Sequence, residues 1–123
     1  MSIFADADLT CNDFLGGRVR LYQPVKGYRA GVDPVLLAAA VPARAGDHVL
    51  ELGCGAGQAL LCLAARVPGL RLTGVELQAA YADLARRNGA LNGQGVHVID
   101  LPVDYSLNHA ILNVLIKESA CIL

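Results

Sequence analysis

The chain has 123 residues, of which 54% are apolar and 17% charged, and its net charge is -1. That length predicts one domain, and so apolar a composition excludes intrinsic disorder. A charge so near neutral excludes nucleic-acid or membrane binding by bulk electrostatics, leaving only a local patch for such a partner.

In chain order, residues 18–24 (RVRLYQP) alternate basic or polar side chains with Val19 and Leu21, which predicts a short strand or extended arm with one buried face. Asp33 before Pro34 is a helix-start signal, since a carboxylate can cap free N–H groups and proline suits a first turn. A helix then runs through VLLAAAV and is closed by Pro42 and Gly46. Residues 48–52 (HVLEL) form a short apolar run broken at Gly53, the pattern of a buried parallel strand.

Leu60, Leu61, Leu63, Ala64 and Ala65 predict a mostly buried helix over 58–66, ended by Pro68 and Gly69. Residues 71–76 (RLTGVE) predict a second core strand. Residues 78–92 place Tyr81, Leu84, Ala85 and Leu91 near helical spacing among Asp83, Arg86 and Arg87, and Asn92-Gly93 stops that amphipathic helix. Residues 96–99 give a third core strand. The alternation of strand and helix predicts an α/β fold with a parallel sheet, half of a doubly wound architecture.

Residues 107–123 are almost continuously apolar and are read as a helix capped by Ser106, with a buried fourth strand as the alternative. The domain so drawn carries an N-terminal arm over 1–32 and an apolar tail over 101–123. No run of about 18 apolar residues is present, and MSIFADADLT lacks the basic start of a signal peptide. A cytoplasmic location with no membrane partner is therefore expected. Cys11, Cys54, Cys62 and Cys121 are irregularly spaced without a CxxC pair, and His48, His97 and His109 are scattered, so reduced thiols and no metal site are expected.

The informative constellation is Glu51-Leu-Gly53-Cys54-Gly55-Ala-Gly57, which stands where the first core strand ends and a helix begins. Glycines there allow positive φ and let a ligand approach where any Cβ would block it. The N–H groups of the following helix suit a phosphate or the carboxylate of an amino-acid moiety. A dinucleotide fingerprint, G-x-G-x-x-G, needs its third glycine at Gln58, whereas here it stands at Gly57, so the spacing favours a cofactor without pyrophosphate. Glu76 ends the second core strand, 23 residues after Gly53, where a carboxylate can accept hydrogen bonds from both hydroxyls of a ribose.

ELGCGAG together with Glu76 resembles motifs I and II of the class I S-adenosylmethionine-dependent methyltransferases. The run from Leu15 to Pro42, LGGRVRLYQPVKGYRAGVDPVLLAAAVP, resembles the N-terminal region of the bacterial tRNA (adenine-N6)-methyltransferase group, and the likeness covers roughly residues 13–92. The resemblance implies a partial Rossmann-like sheet, its first half only, with S-adenosylmethionine as cofactor. It implies a cofactor set of Glu51, Gly53, Cys54, Gly55, Gly57, Glu76 and Leu77. Asp100 would touch the adenine ring, with Asp104 competing for that role. Gln23 and the Gly27 to Arg29 segment would lie over the site, with Tyr28, Arg29 and Asp33 helping to close it.

Methylation of an adenine exocyclic nitrogen in this superfamily uses Asn or Asp followed by Pro-Pro and an aromatic residue. All five prolines here are isolated and only 31 residues follow Asn92, so no catalytic residue is assigned and the chain reads as a truncated or altered domain. The expected partner is RNA, specifically tRNA. Arg18, Arg20, Lys26 and Arg29, with Tyr22 and Tyr28 between them, are the candidate patch for a phosphate chain and a stacked base. Two alternatives stand beside the enzyme. One is a non-catalytic module that completes its sheet as a homo-oligomer, through an exposed strand edge or the apolar tail. The other is a nicotinamide-dependent oxidoreductase, which keeps Glu76 but fails at Gln58.

Overall fold

β-branched and leucine-rich runs separated by glycine and proline punctuate this chain into short strands and helices. The computed structural model describes residues 3–102. In order these are β1 (Leu9–Phe14), β2 (Val19–Pro24), α1 (Asp33–Ala40), β3 (His48–Leu52), α2 (Gln58–Arg66), β4 (Arg71–Glu76), α3 (Ala79–Leu91) and β5 (Val96–Asp100). The helix expected over 107–123, its Ser106 cap, Asp104 and most of the apolar tail lie outside the described residues.

Strands β3, β4 and β5 form one parallel sheet in chain order, with Val49 beside Leu72 and Leu72 beside Val96. The expected α/β, Rossmann-like arrangement is present. Alternation along each strand sends Leu72 and Val98 to one face, where they pack with Leu60 and Ala64 of α2 and with Ala82 and Ala85 of α3. Position 74 lies on this face and is glycine, since a Cβ there would stand 2.8 Å from the Cβ of Cys54.

One expectation is corrected. The run HVLEL is not a buried strand but, among the described residues, an edge strand of its sheet, with Leu50 59% and Leu52 76% exposed. α2 and α3 share one face, and among the described residues the opposite face exposes Leu50, Leu52 and Ile99, as half of a doubly wound sheet leaves it. An apolar run reports that a strand has hydrophobic neighbours somewhere, not whether they belong to the same segment of chain.

The sequence reading of 18–24 as a strand gave it no partner. In the fold β2 pairs antiparallel with β1, in a register from Leu9 opposite Pro24 to Phe14 opposite Val19. Val19 and Leu21 point into a second core with Ala38 of α1 and Leu61, Cys62 and Leu63 of α2. The other edge of β2 is satisfied by side chains of α3. Asn88 Oδ1 accepts from Tyr22 N at 2.7 Å, and its Nδ2 donates to Tyr22 O at 3.1 Å. Asn92 repeats the pattern with Arg20 N at 2.9 Å and Arg20 O at 2.7 Å. Two residues of strand advance about 6.6 Å and four residues of helix about 6 Å, so asparagines at i and i+4 meet alternate strand residues.

Asn88 is fully buried, so removing its amide strands three backbone groups away from water, while Asn92 lies at the surface. Asn88→Ala is expected to lower the unfolding free energy by about 3 kcal/mol and Asn92→Ala by about 1 kcal/mol, as read by urea denaturation. Equal costs would refute the burial argument.

Candidate functional site

The site begins at the carboxyl end of β3, where the chain must leave a strand and enter α2 within five residues. Gly53, Gly55 and Gly57 take φ of 75°, 53° and 87°, left-handed values that disfavour any side chain. A Cβ on Gly53 or Gly55 would meet no atom within 4 Å, so the corner faces open space. That space is a cavity of about 300 Å³ lined by the glycine loop, the start of α2, the end of β2 and the segment entering α1.

The segment after β2 is folded back over the loop by two polar anchors. Tyr28 N donates to Tyr81 Oη at 2.9 Å, and Ala30 N donates to the buried Oε1 of Gln23 at 2.9 Å. Tyr28 and Asp33 consequently line the cavity. Arg29 does not. Its guanidinium turns into the hairpin, donating to Thr10 Oγ1, Pro24 O and Asn12 Oδ1. Asp33 stands in the first turn of α1, and that helix has no side-chain cap, so the expected capping role is not found. The arm's other arginines are also engaged: Arg18 donates to Ala65 O, and Arg20 Nε stands 3.5 Å from Asp13.

Of the loop residues, Glu51, Gly53, Cys54 and Gly55 line the cavity, whereas Gly57 backs onto Ala85 instead. Glu76 points at the loop and is nearly buried. Its carboxylate accepts from Gly55 N at 2.8 Å and from Leu77 N and Gln78 N at 3.1 Å each. Leu77 follows it at half-burial, and Asp100, exposed, ends β5 directly beside Glu76. Glu76, Leu77 and Asp100 thus flank the glycine corner at the carboxyl edge of the sheet without lining the cavity itself.

Two side chains that line the cavity carry unmet polarity. Glu51 Oε1 is buried with no hydrogen-bond partner among the described residues, and burial, then the charge of Glu76, pushes its carboxyl up to about 7. Gln58 lines the cavity with both amide atoms buried and unpartnered among the described residues. Burial and the two neighbouring carboxylates push the Cys54 thiol up to about 12, which leaves it a packing group rather than a nucleophile.

The sequence reading missed Tyr81 and Asn88 as organisers of the site and used Gln58 only to reject a dinucleotide. The available signal for Asn88 was a polar residue on the same helical stripe as Leu84 and Ala85. Its partners, Tyr22 and Ala56, are too far away in sequence to be found by pattern. Among the described residues no cluster of metal-ligating side chains occurs, and no helix is long and apolar enough to cross a membrane.

A family profile described as a methyltransferase domain matches residues 49–109. Trans-aconitate 2-methyltransferase of Paracidovorax citrulli is 48% identical over 50 residues, covering 41% of this chain and 19% of that protein. The tRNA1(Val) (adenine(37)-N6)-methyltransferase of Yersinia pestis is 38% identical over 73 residues, 57% of this chain and 29% of that protein. Its Yersinia enterocolitica counterpart is 36% identical over 85 residues, 66% of this chain and 34% of that protein. The chain thus spans between about a fifth and a third of the length of the curated relatives it matches.

A solved S-adenosylmethionine-dependent methyltransferase from Agrobacterium tumefaciens superposes with a TM-score of 0.55 at 22% identity, covering 78% of this chain and 33% of that one. A protein-L-isoaspartate O-methyltransferase does so with 0.52 at 23%, covering 66% and 27%. At that identity the two structures establish the fold alone. A strand, glycine corner, helix and strand-end glutamate in parallel register, with these likenesses, support a class I methyltransferase domain with S-adenosylmethionine as its cofactor.

Proposed function

We propose that this chain is the cofactor-binding part of an enzyme that methylates a nitrogen of an RNA base, the N6 of a tRNA adenine. The observation that carries the cofactor half is the glycine corner, where left-handed backbone at Gly53 and Gly55 faces open space. The cofactor supplies a methyl group on a positively charged sulfonium, ready for in-line displacement. The chain's own residues then have three tasks: to hold the amino-acid end, to hold the sugar, and to keep water out.

Glu51, half-buried and with its buried Oε1 unpaired among the described residues, suits the ammonium of the amino-acid end. Glu76 uses three of about four acceptor positions on loop N–H groups and keeps roughly one for a ribose hydroxyl, fewer than the pair expected from sequence. Leu77 and Asp100, next along the same sheet edge, suit the adenine ring, and Tyr28 and Asp33 cover the cavity from the arm. The RNA substrate is supported by the 36% and 38% identities to the Yersinia tRNA enzymes, which extend over more of the chain than the trans-aconitate likeness does. In the proposed arm patch, Lys26 and Tyr28 are exposed while Arg29 is tied to the hairpin.

A second reading is favoured by the exposed edge strand: the chain completes its sheet against a second copy along β3. Light scattering at micromolar concentration is then expected to give a dimer mass, and Leu52→Lys a monomer. A monomer before mutation would remove this reading.

Isothermal titration is expected to show binding of S-adenosylhomocysteine and none of NAD. Gly55→Val is expected to weaken that binding beyond detection, since a β-branched residue at φ 53° is strained and its side chain enters the cavity. Retained binding would reject the loop assignment.

Glu51 generates a pH dependence of defined sign. Its folded-state pKa of about 7 lies above the ordinary 4.5, so the folded protein holds the proton more tightly than the unfolded chain. Unliganded stability should therefore fall as pH rises between those two values. Binding of S-adenosylhomocysteine should strengthen as pH rises through about 7, because the ionised carboxylate receives the ammonium. Glu51→Gln should flatten both curves, read by thermal melting and titration from pH 5 to pH 8.5.

A further inference from the structure

We infer that Gln58 is a cofactor-specificity residue whose side-chain amide receives the carboxylate of the bound amino-acid end, an assignment that rests on the cofactor reading above. Gln58 is the first residue of α2, a nine-residue helix whose N-cap, Gly57, offers no side chain to its free N–H groups. A helix start of this kind attracts a carboxylate but is common to many folds. The independent observation is the side chain itself. Gln58 is only 4% exposed, and both its Nε2 and its Oε1 are sealed from solvent without a partner among the described residues.

An amide in that condition forfeits the hydrogen bonds it makes in water, a cost that a folded chain normally removes by pairing or by an apolar replacement. Gln58 is flanked by Ala59, Leu60 and Leu61, all buried, so leucine would suit the position by composition. The group therefore points to a partner supplied from outside the chain. Gln58 lines the same cavity as Glu51, whose buried Oε1 is likewise without a partner among the described residues, and as the open corner at Gly53 and Gly55.

The unmet groups match a zwitterion in sign and kind. The amide hydrogens on Gln58 Nε2 are donors for a carboxylate, and Glu51 Oε1 is an acceptor for an ammonium, with Gln58 Oε1 as a second acceptor. A pyrophosphate, which needs donors throughout, is poorly served by two carboxyl and amide oxygens. Gln58 thus stands where a dinucleotide fingerprint has its third glycine and fills the place with a group that selects against the dinucleotide.

The test uses the full 123-residue chain, S-adenosylhomocysteine and its decarboxylated analogue, which lacks only the carboxylate. Gln58→Leu is expected to weaken S-adenosylhomocysteine binding about 10- to 100-fold, the loss of one hydrogen bond to a charged group. In the unmutated chain the decarboxylated analogue should bind weaker by a similar factor, and Gln58→Leu should weaken it little further, as coupled partners require. The melting temperature of unliganded Gln58→Leu should equal or exceed that of the parent, and Gln58→Met should repeat the result if leucine packs badly.

Parent binding that Gln58→Leu leaves unchanged would overturn this inference alone. So would losses that multiply in full when substitution and decarboxylation are combined, since the amide and the carboxylate would then not touch. A lowered melting temperature in both variants would assign the amide a structural role and overturn the inference as well. A parent chain that binds neither probe would instead overturn the cofactor reading, and this inference with it.

Discussion

The site depends on a single buried amide. Asn88 reaches from the middle of α3 to the N–H and the C=O of Tyr22 on β2 and, through the same Nδ2, to Ala56 O in the glycine loop at 2.9 Å. It therefore fixes the hairpin, the third helix and the cofactor corner relative to one another. Without it the arm would keep the bonds of Asn92 to Arg20, of Arg18 to Ala65 and of Tyr28 to Tyr81, together with the apolar contacts of Val19 and Leu21, and apolar contacts set distance more than register. Hydrogen bonds to backbone on alternate strand residues set register directly.

With that frame in place, the corner itself is arranged by charge. Glu76 gathers three N–H groups from two segments, Gly55 on one side and Leu77 and Gln78 on the other, and so clamps the loop against the end of β4. The clamp has an electrostatic consequence. Burial opposes the ionisation of a second carboxylate, Glu51, and the nearby charge of Glu76 opposes it further. The loop is thus clamped by one acid while another, Glu51, keeps a buried oxygen without a partner among the described residues, which is a costly arrangement for the domain by itself.

Close packing on the other side of the corner explains why the loop carries a cysteine. Cys54 belongs to the core beneath the sheet, where its small apolar side chain faces Gly74, and a larger residue at either position would collide with the other. The thiol is inert in this setting. The polar groups around the loop are its backbone N–H groups, Glu51, Gln58 and Glu76, while the cysteine and the three left-handed glycines provide shape.

The sequence by itself determined the alternation of strands and helices from residue 48 to residue 100, because apolar runs broken by glycine and proline leave little choice of local conformation. It also determined the glycine corner and the glutamate one strand away, since left-handed turns and strand-end acids are written in residue type and spacing. Only the tertiary structure decided that β2 has β1 as its partner and that Arg29 faces the hairpin. It alone showed HVLEL as an edge strand and Gln58 sealed beside the cavity. Each of these turns on which distant segment comes to lie alongside, and periodicity within a segment carries no record of that.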